Sequence, residues 1–155
     1  MLASCSSSGG PYPSLQPRTA EAIDPRLQPS RPINDRPAEQ SLVEKLASLV
    51  SQARGGETDF EPVVASAERL AAAAGAPQSE SWIAAQQALS AATAARAPTA
   101  LAQTDIDALA AMALQNQGGI APNDLKAIDS AASEVSTISR GQTDRIDAIK
   151  RRLGI

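Results

Sequence analysis

The side chains that could carry chemistry in this sequence are carboxylates, lysines and serines, because histidine is absent and cysteine occurs once. Without histidine the chain lacks the side chain that titrates unaided near neutral pH, which is also the commonest metal ligand. One cysteine forms neither an intramolecular disulfide nor a thiolate-rich zinc or iron–sulfur site. The densest acids, Glu57, Asp59 and Glu61, alternate as calcium-loop ligands do. A calcium loop also needs further oxygens and a central glycine, and Pro62 stands where that glycine belongs. These acids are better placed to start a helix, with Asp59 as its N-cap. Asp105 and Asp107, two residues apart, leave a helix on different faces and cannot act as a carboxylate pair. Thr104 with Asp107 reads instead as a variant capping box.

A nucleophilic serine would have to rely on lysine, yet Lys45, Lys126 and Lys150 lie in amphipathic stretches with no serine signature beside them. Gly55-Gly56 and Gly118-Gly119 match neither GxGxxG nor GxxxxGK, so they cradle no phosphate and are expected to stop helices. Trp82 is expected to anchor the core; exposed, it would mark a binding hot spot. The sequence therefore implies no catalytic residue, no cofactor and no metal site, and a protein that is not an enzyme.

The lone cysteine carries the one informative motif. Leu2-Ala3-Ser4-Cys5 places a leucine and two small residues before the cysteine, and Ser6-Ser7-Ser8-Gly9-Gly10 follows with small, polar composition. This tetrapeptide resembles the lipobox of bacterial lipoproteins, in particular the small alanine-rich helical lipoproteins of the Gram-negative envelope whose roles are unassigned. The resemblance implies that Cys5 is lipidated and anchors the chain to a bilayer. Ser6 beside it, in place of aspartate, implies sorting to the outer membrane, on its periplasmic face. In that family a basic and apolar signal peptide precedes the box, where this sequence has only Met1. The alternative is a cytoplasmic protein in which Cys5 is an exposed thiol.

Charge narrows the partners. Residues 38–123 hold four basic side chains against nine acidic, whereas residues 124–155 hold six against five and include Lys150-Arg151-Arg152. An acidic centre with three aromatics in the whole chain (Tyr12, Phe60 and Trp82) offers neither the basic face nor the stacking platforms that nucleic acid requires. The basic cluster sits where cations meet the negative end of a helix dipole.

Composition divides the chain at residue 37. Seven of its eleven prolines fall between Pro11 and Pro37, and proline fixes φ and removes backbone donors, so neither helix nor sheet propagates there. Residues 1–37 are expected to be the lipobox and a disordered Ser/Gly/Pro-rich stalk, and residues 38–155 an alanine-rich helical bundle. Alanine, the strongest helix former, occurs 32 times.

Periodicity marks the helices. Leu42, Leu46, Leu49, Val50 and Ala53 form a stripe expected to end at Gly55-Gly56. Phe60, Val63, Val64, Ala67, Leu70 and Ala74 form the next, closed by Gly75. Ser79 caps a third helix with Trp82, Ile83, Ala85 and Leu89, ending before Pro98. A fourth, beginning at Thr99 or Thr104, carries Ile106, Leu109, Ala110 and Ala113. Last, Leu125, Ile128, Ala132, Val135, Ser139, Gln142, Ile146, Ile149 and Leu153 keep steps of three and four straight through Gly141, so one long helix from about Asn123 is expected, with polar middle layers.

Short loops then set consecutive helices antiparallel. The expected fold is an all-α antiparallel bundle of four to five helices ending in a long C-terminal helix. The expected function is non-enzymatic: a membrane-anchored envelope lipoprotein whose helical module binds an envelope protein partner. The alternative is a cytosolic helical adaptor that self-associates through the C-terminal helix.

Overall fold

The computed structural model describes residues 36–117 and 120–155, with the side chains of residues 116 and 117 left aside. Cys5, the proline-rich segment up to Asp35 and Gly118-Gly119 lie outside the described residues. Four helices follow in order: α1 (Gln40–Ala72), α2 (Glu80–Ala94), α3 (Ala97–Gln117) and α4 (Pro122–Leu153). Among the described residues there is no strand, and the chain is an all-α helical bundle.

The helix count is lower than the punctuation of the sequence suggests, because Gly55-Gly56 does not stop a helix. One helix of 33 residues, about 50 Å at ~1.5 Å per residue, runs through both glycines. A glycine stops a helix by taking a left-handed conformation, and neither glycine takes one. Gly56 instead meets another helix closely: a Cβ there would lie 3.0 Å from Pro98 Cβ and 3.2 Å from Thr99 Oγ1. Asp59 is accordingly an exposed residue in mid-helix and not an N-cap. Pro62 is also internal to α1, where it leaves the Thr58 carbonyl without its usual donor. Both residues are on the exposed face, so water can hydrate that carbonyl and the helix continues.

Other boundaries follow the local chemistry. Ser79 caps α2 as expected, its hydroxyl accepting from the Trp82 N–H at 3.3 Å. Pro98, lacking an N–H, cannot bond the Ala94 carbonyl, and α2 ends at Ala94. The same proline sits in the first turn of α3, where no donor is required, so α3 starts at Ala97, earlier than Thr99 or Thr104. Thr104 is thus inside α3 and donates to the Ala100 carbonyl, so it forms no capping box with Asp107. Pro122 opens α4 in the same manner, and the helix passes through Gly141 without interruption. At its end Gly154 adopts φ 73°, and the Gly154 and Ile155 amides bond the Arg151 and Lys150 carbonyls. This left-handed cap satisfies the last carbonyls of a helix whose final turn is basic.

Cross-helix bonds show three rods. The Glu39 amide donates to Asp124 Oδ1, Arg54 pairs with Glu134, and Arg145 pairs with Glu61 and Glu68, so α1 and α4 run parallel along their whole length. The Trp82 indole N–H donates to the Leu153 carbonyl at one end, and Gln142 donates to Thr99 in the middle. Hence α2 and α3 succeed one another as a broken middle rod, antiparallel to both long helices. Each side chain is placed by a 3.6-residue stripe: Leu46, Ala53, Phe60, Val64, Ala67 and Ala71 on α1, and Ile128, Val135, Ile146, Ile149 and Leu153 on α4, are all buried. The two polar layers expected in α4 lie inside the bundle, where Gln142 is 3% exposed and Ser139 is partly buried.

Candidate functional site

The first turn of α4 is built to hold the start of α1. Asn123 Nδ2 donates to the Arg36 carbonyl at 2.7 Å, and the buried Asp124 carboxylate accepts the Glu39 amide, also at 2.7 Å. Arg36 Nη2 lies 3.8 Å from the other Asp124 oxygen. Asp124 occupies the third helical position, where the helix dipole favours an anion. Its burial is therefore matched by hydrogen bonding and the dipole, as a buried charge requires. Sequence reading missed this pair, although an acid two residues after Pro122 is a helix-start signal.

Further along, α1 and α4 leave a groove of about 380 Å³ between them. Leu46 and Ala131 form its floor and Val43, Ala47, Val50 and Ala127 its apolar walls, with Ser51 and Ser130 also lining it. The Arg54–Glu134 pair crosses its far end, the Nε–Oε1 distance being 2.6 Å. From Val43 to Arg54 the groove spans about 16 Å, three turns of helix. Its apolar lining arises because the α1 stripe is wider than one neighbouring helix can cover: Val43 remains 38% exposed while Leu46 is 4% exposed. At the same end Leu101, Met112, Leu114 and Leu125 are also exposed.

Electrostatics is concentrated at the other end. Arg145 donates to Glu68 through Nε (2.8 Å) and Nη2 (2.9 Å), donates to Glu61 through Nη1 (2.6 Å), and lies over the Phe60 ring at 6.0 Å. Its guanidinium bonds hold the Glu68 carboxyl below the usual carboxylate range, against the opposing effect of burial. The same two carboxylates push the Arg145 pKa further up. This is a bidentate structural ion pair that ties α1 to α4.

The residues weighed for chemistry are not brought together. Glu57 and Asp59 are exposed on α1, while Glu61 is taken by Arg145. Lys150 pairs with Asp147 at 3.0 Å. Ser41 and Lys45 line one cleft near Leu109, but the Ser41 hydroxyl donates to Glu39 Oε1 at 2.7 Å. Trp82 is partly buried against the Phe60 cluster. Among the described residues no group of histidine, cysteine, aspartate and glutamate side chains could hold a metal ion. None of the described helices is long and apolar enough to cross a membrane. Cys5, for which the lipobox resemblance implies lipidation, lies outside the described residues. No family model, curated protein or solved structure matches the chain.

Proposed function

We propose that this chain is a membrane-anchored envelope lipoprotein that acts by binding rather than by catalysis. In this reading Cys5 carries the lipid, the proline-rich stretch is the spacer, and the bundle receives one amphipathic helix of a partner protein in the α1–α4 groove. The observation that supports it best is the groove itself, a three-turn apolar trough between two parallel helices, closed at one end by Arg54 and Glu134. Such a trough suits a helix presenting apolar side chains three and four residues apart, which buries its stripe as bundle helices do. Self-association through the α4 heptads is less well supported, because Ile128, Val135, Ile146, Ile149 and Leu153 are buried against helices of the same chain.

Two experiments test the two halves of the proposal. Metabolic labelling of the native gene product with a palmitate analogue should mark the wild type and not Cys5→Ser; an unlabelled wild type removes the anchor. A photo-crosslinker at Ala47, in intact cells, should attach to a single helical segment of one envelope protein. That adduct should disappear when Ala127→Trp fills the groove, as judged by mass spectrometry of the crosslinked peptide. An adduct that survives Ala127→Trp, or that maps to no amphipathic helix, refutes the groove.

A further inference from the structure

The core is divided. One apolar cluster joins Phe60 and Val64 of α1, Leu89 of α2, and Ile146, Ile149 and Leu153 of α4. A second joins Leu46 of α1, Ile106 of α3, and Ile128 and Val135 of α4. Between them lies a polar waist in which Gly56, Thr99 and Gln142 are all buried. Gln142 Nε2 donates to Thr99 Oγ1 at 3.1 Å, but Gln142 Oε1 meets no donor, and neither does Arg96 Nε find an acceptor. The middle rod is interrupted at the same level, between Ala94 and Ala97. No continuous apolar seam and no continuous middle helix therefore couples the two ends.

The ends are unequal as well. Six large side chains fill the first cluster, and Trp82 packs on it, while the bidentate Arg145–Glu68 pair closes its edge. In the second, four large side chains are fully buried beside Ala53, Ala102 and Ala131, while Leu42, Leu49, Val50, Leu109, Ile120 and Ile138 pack on it only partly buried, and its flank is the open α1–α4 groove. Fewer buried apolar groups and more exposed ones mark the part of a fold that opens at lower free energy.

We infer that the bundle is a two-part device that opens from the end where α1 begins, with the polar waist as the boundary and the Phe60 end remaining closed. Opening exposes Leu46, Ile106 and Ile128 together and widens the groove into a larger apolar surface. This property belongs to the fold whatever the groove binds.

Native-state hydrogen exchange on the full chain tests it with conservative variants that keep the protein folded. Ile146→Val weakens only the closed end, so the most protected amides near Val64, Leu89 and Ile149 should exchange about threefold to tenfold faster. Those of Ala102–Leu109 and Ile128–Val135 should change by less than about 1.5-fold, because the state through which they exchange keeps Ile146 packed. Ile106→Val should accelerate both sets, since the closed end opens only after the other. Making the waist apolar with Thr99→Val and Gln142→Met, a near-isosteric pair, should couple the ends, so that Ile146→Val then accelerates both sets. Acceleration of both sets by Ile146→Val in the wild-type background would overturn the inference. So would ends that remain uncoupled once the waist is apolar.

Discussion

Two adjacent glycines in α1 make opposite predictions when each is changed to alanine. At Gly55 an added Cβ meets nothing within 4 Å, so Gly55→Ala should gain the helix-interior difference of about 0.8–1 kcal/mol. At Gly56 the same Cβ would lie 3.0 Å from Pro98 Cβ, 3.2 Å from Thr99 Oγ1 and 3.4 Å from the Thr99 nitrogen. None of these can retreat easily. The Pro98 ring is fixed in the first turn of α3, and the Thr99 hydroxyl is held by Gln142. Overpacking of this kind costs about 1–3 kcal/mol, which exceeds the helical gain. Gly56→Ala should therefore lose about 1 kcal/mol net, and the two neighbours should differ by about 2 kcal/mol. For a bundle of this size, with roughly 4 °C per kcal/mol, thermal unfolding followed by circular dichroism should place the two Tm values about 8 °C apart, on either side of the wild type. A Gly56→Ala protein as stable as Gly55→Ala would show that α1 does not cross the middle rod closely at this glycine.

Gly141 is helical, and a Cβ there would meet nothing within 4 Å, so Gly141→Ala should stabilise by about 0.5–1 kcal/mol; a lowered Tm would mean that α4 is broken there. Gly154, at φ 73°, should behave oppositely, with Gly154→Ala losing about 1 kcal/mol in chemical denaturation and an unchanged midpoint counting against the left-handed cap. Glu68 is held below the usual carboxylate range by Arg145, so its contribution is present above that range and is lost as pH falls through the depressed value. Because Glu68 is 39% exposed, the contribution should be under about 1 kcal/mol, and the Tm gap between wild type and Glu68→Gln should close on acidification; a gap constant from pH 7 to pH 3 would refute it.

Much of the fold was legible because from Ile128 to Leu153 burial in α4 follows the steps of three and four that the sequence displays, although Leu125, the first residue of that stripe, is exposed and Ala131 is buried where the spacing points to Ala132. That spacing carried the helix through Gly141 even though glycine is a poor helix former, since a pattern that stays in phase needs a single axis. Gly55-Gly56 misled for a physical reason. A glycine that ends a helix and one that lets two helices touch look alike locally, and only the tertiary contact with Pro98 and Thr99 distinguishes them. Proline is equally ambiguous: Pro98 interrupts the middle rod, whereas Pro62 faces solvent and does not interrupt α1. The groove was hidden because Leu42, Leu46, Leu49, Val50 and Ala53 read as one core stripe, and no periodicity states how much of a stripe the neighbours will cover. Asp124 escaped notice because its partner, the Glu39 amide, is backbone and lies 85 residues away in the sequence.

The attachment of Arg36–Glu39 to the first turn of α4 has a mechanical consequence. In a bundle whose first helix is held only by side-chain packing, tension on the chain before residue 36 would peel that helix away turn by turn. Here the Arg36 carbonyl and the Glu39 amide are bonded to Asn123 and Asp124, so a pull reaches two long parallel helices at once. The load is shared between α1 and α4, so opening from the end where α1 begins starts with the breaking of these two attachments. Asn123→Ala should therefore lower the rupture force in single-molecule pulling from the N-terminus, because it removes one of the two bonds that first oppose opening there.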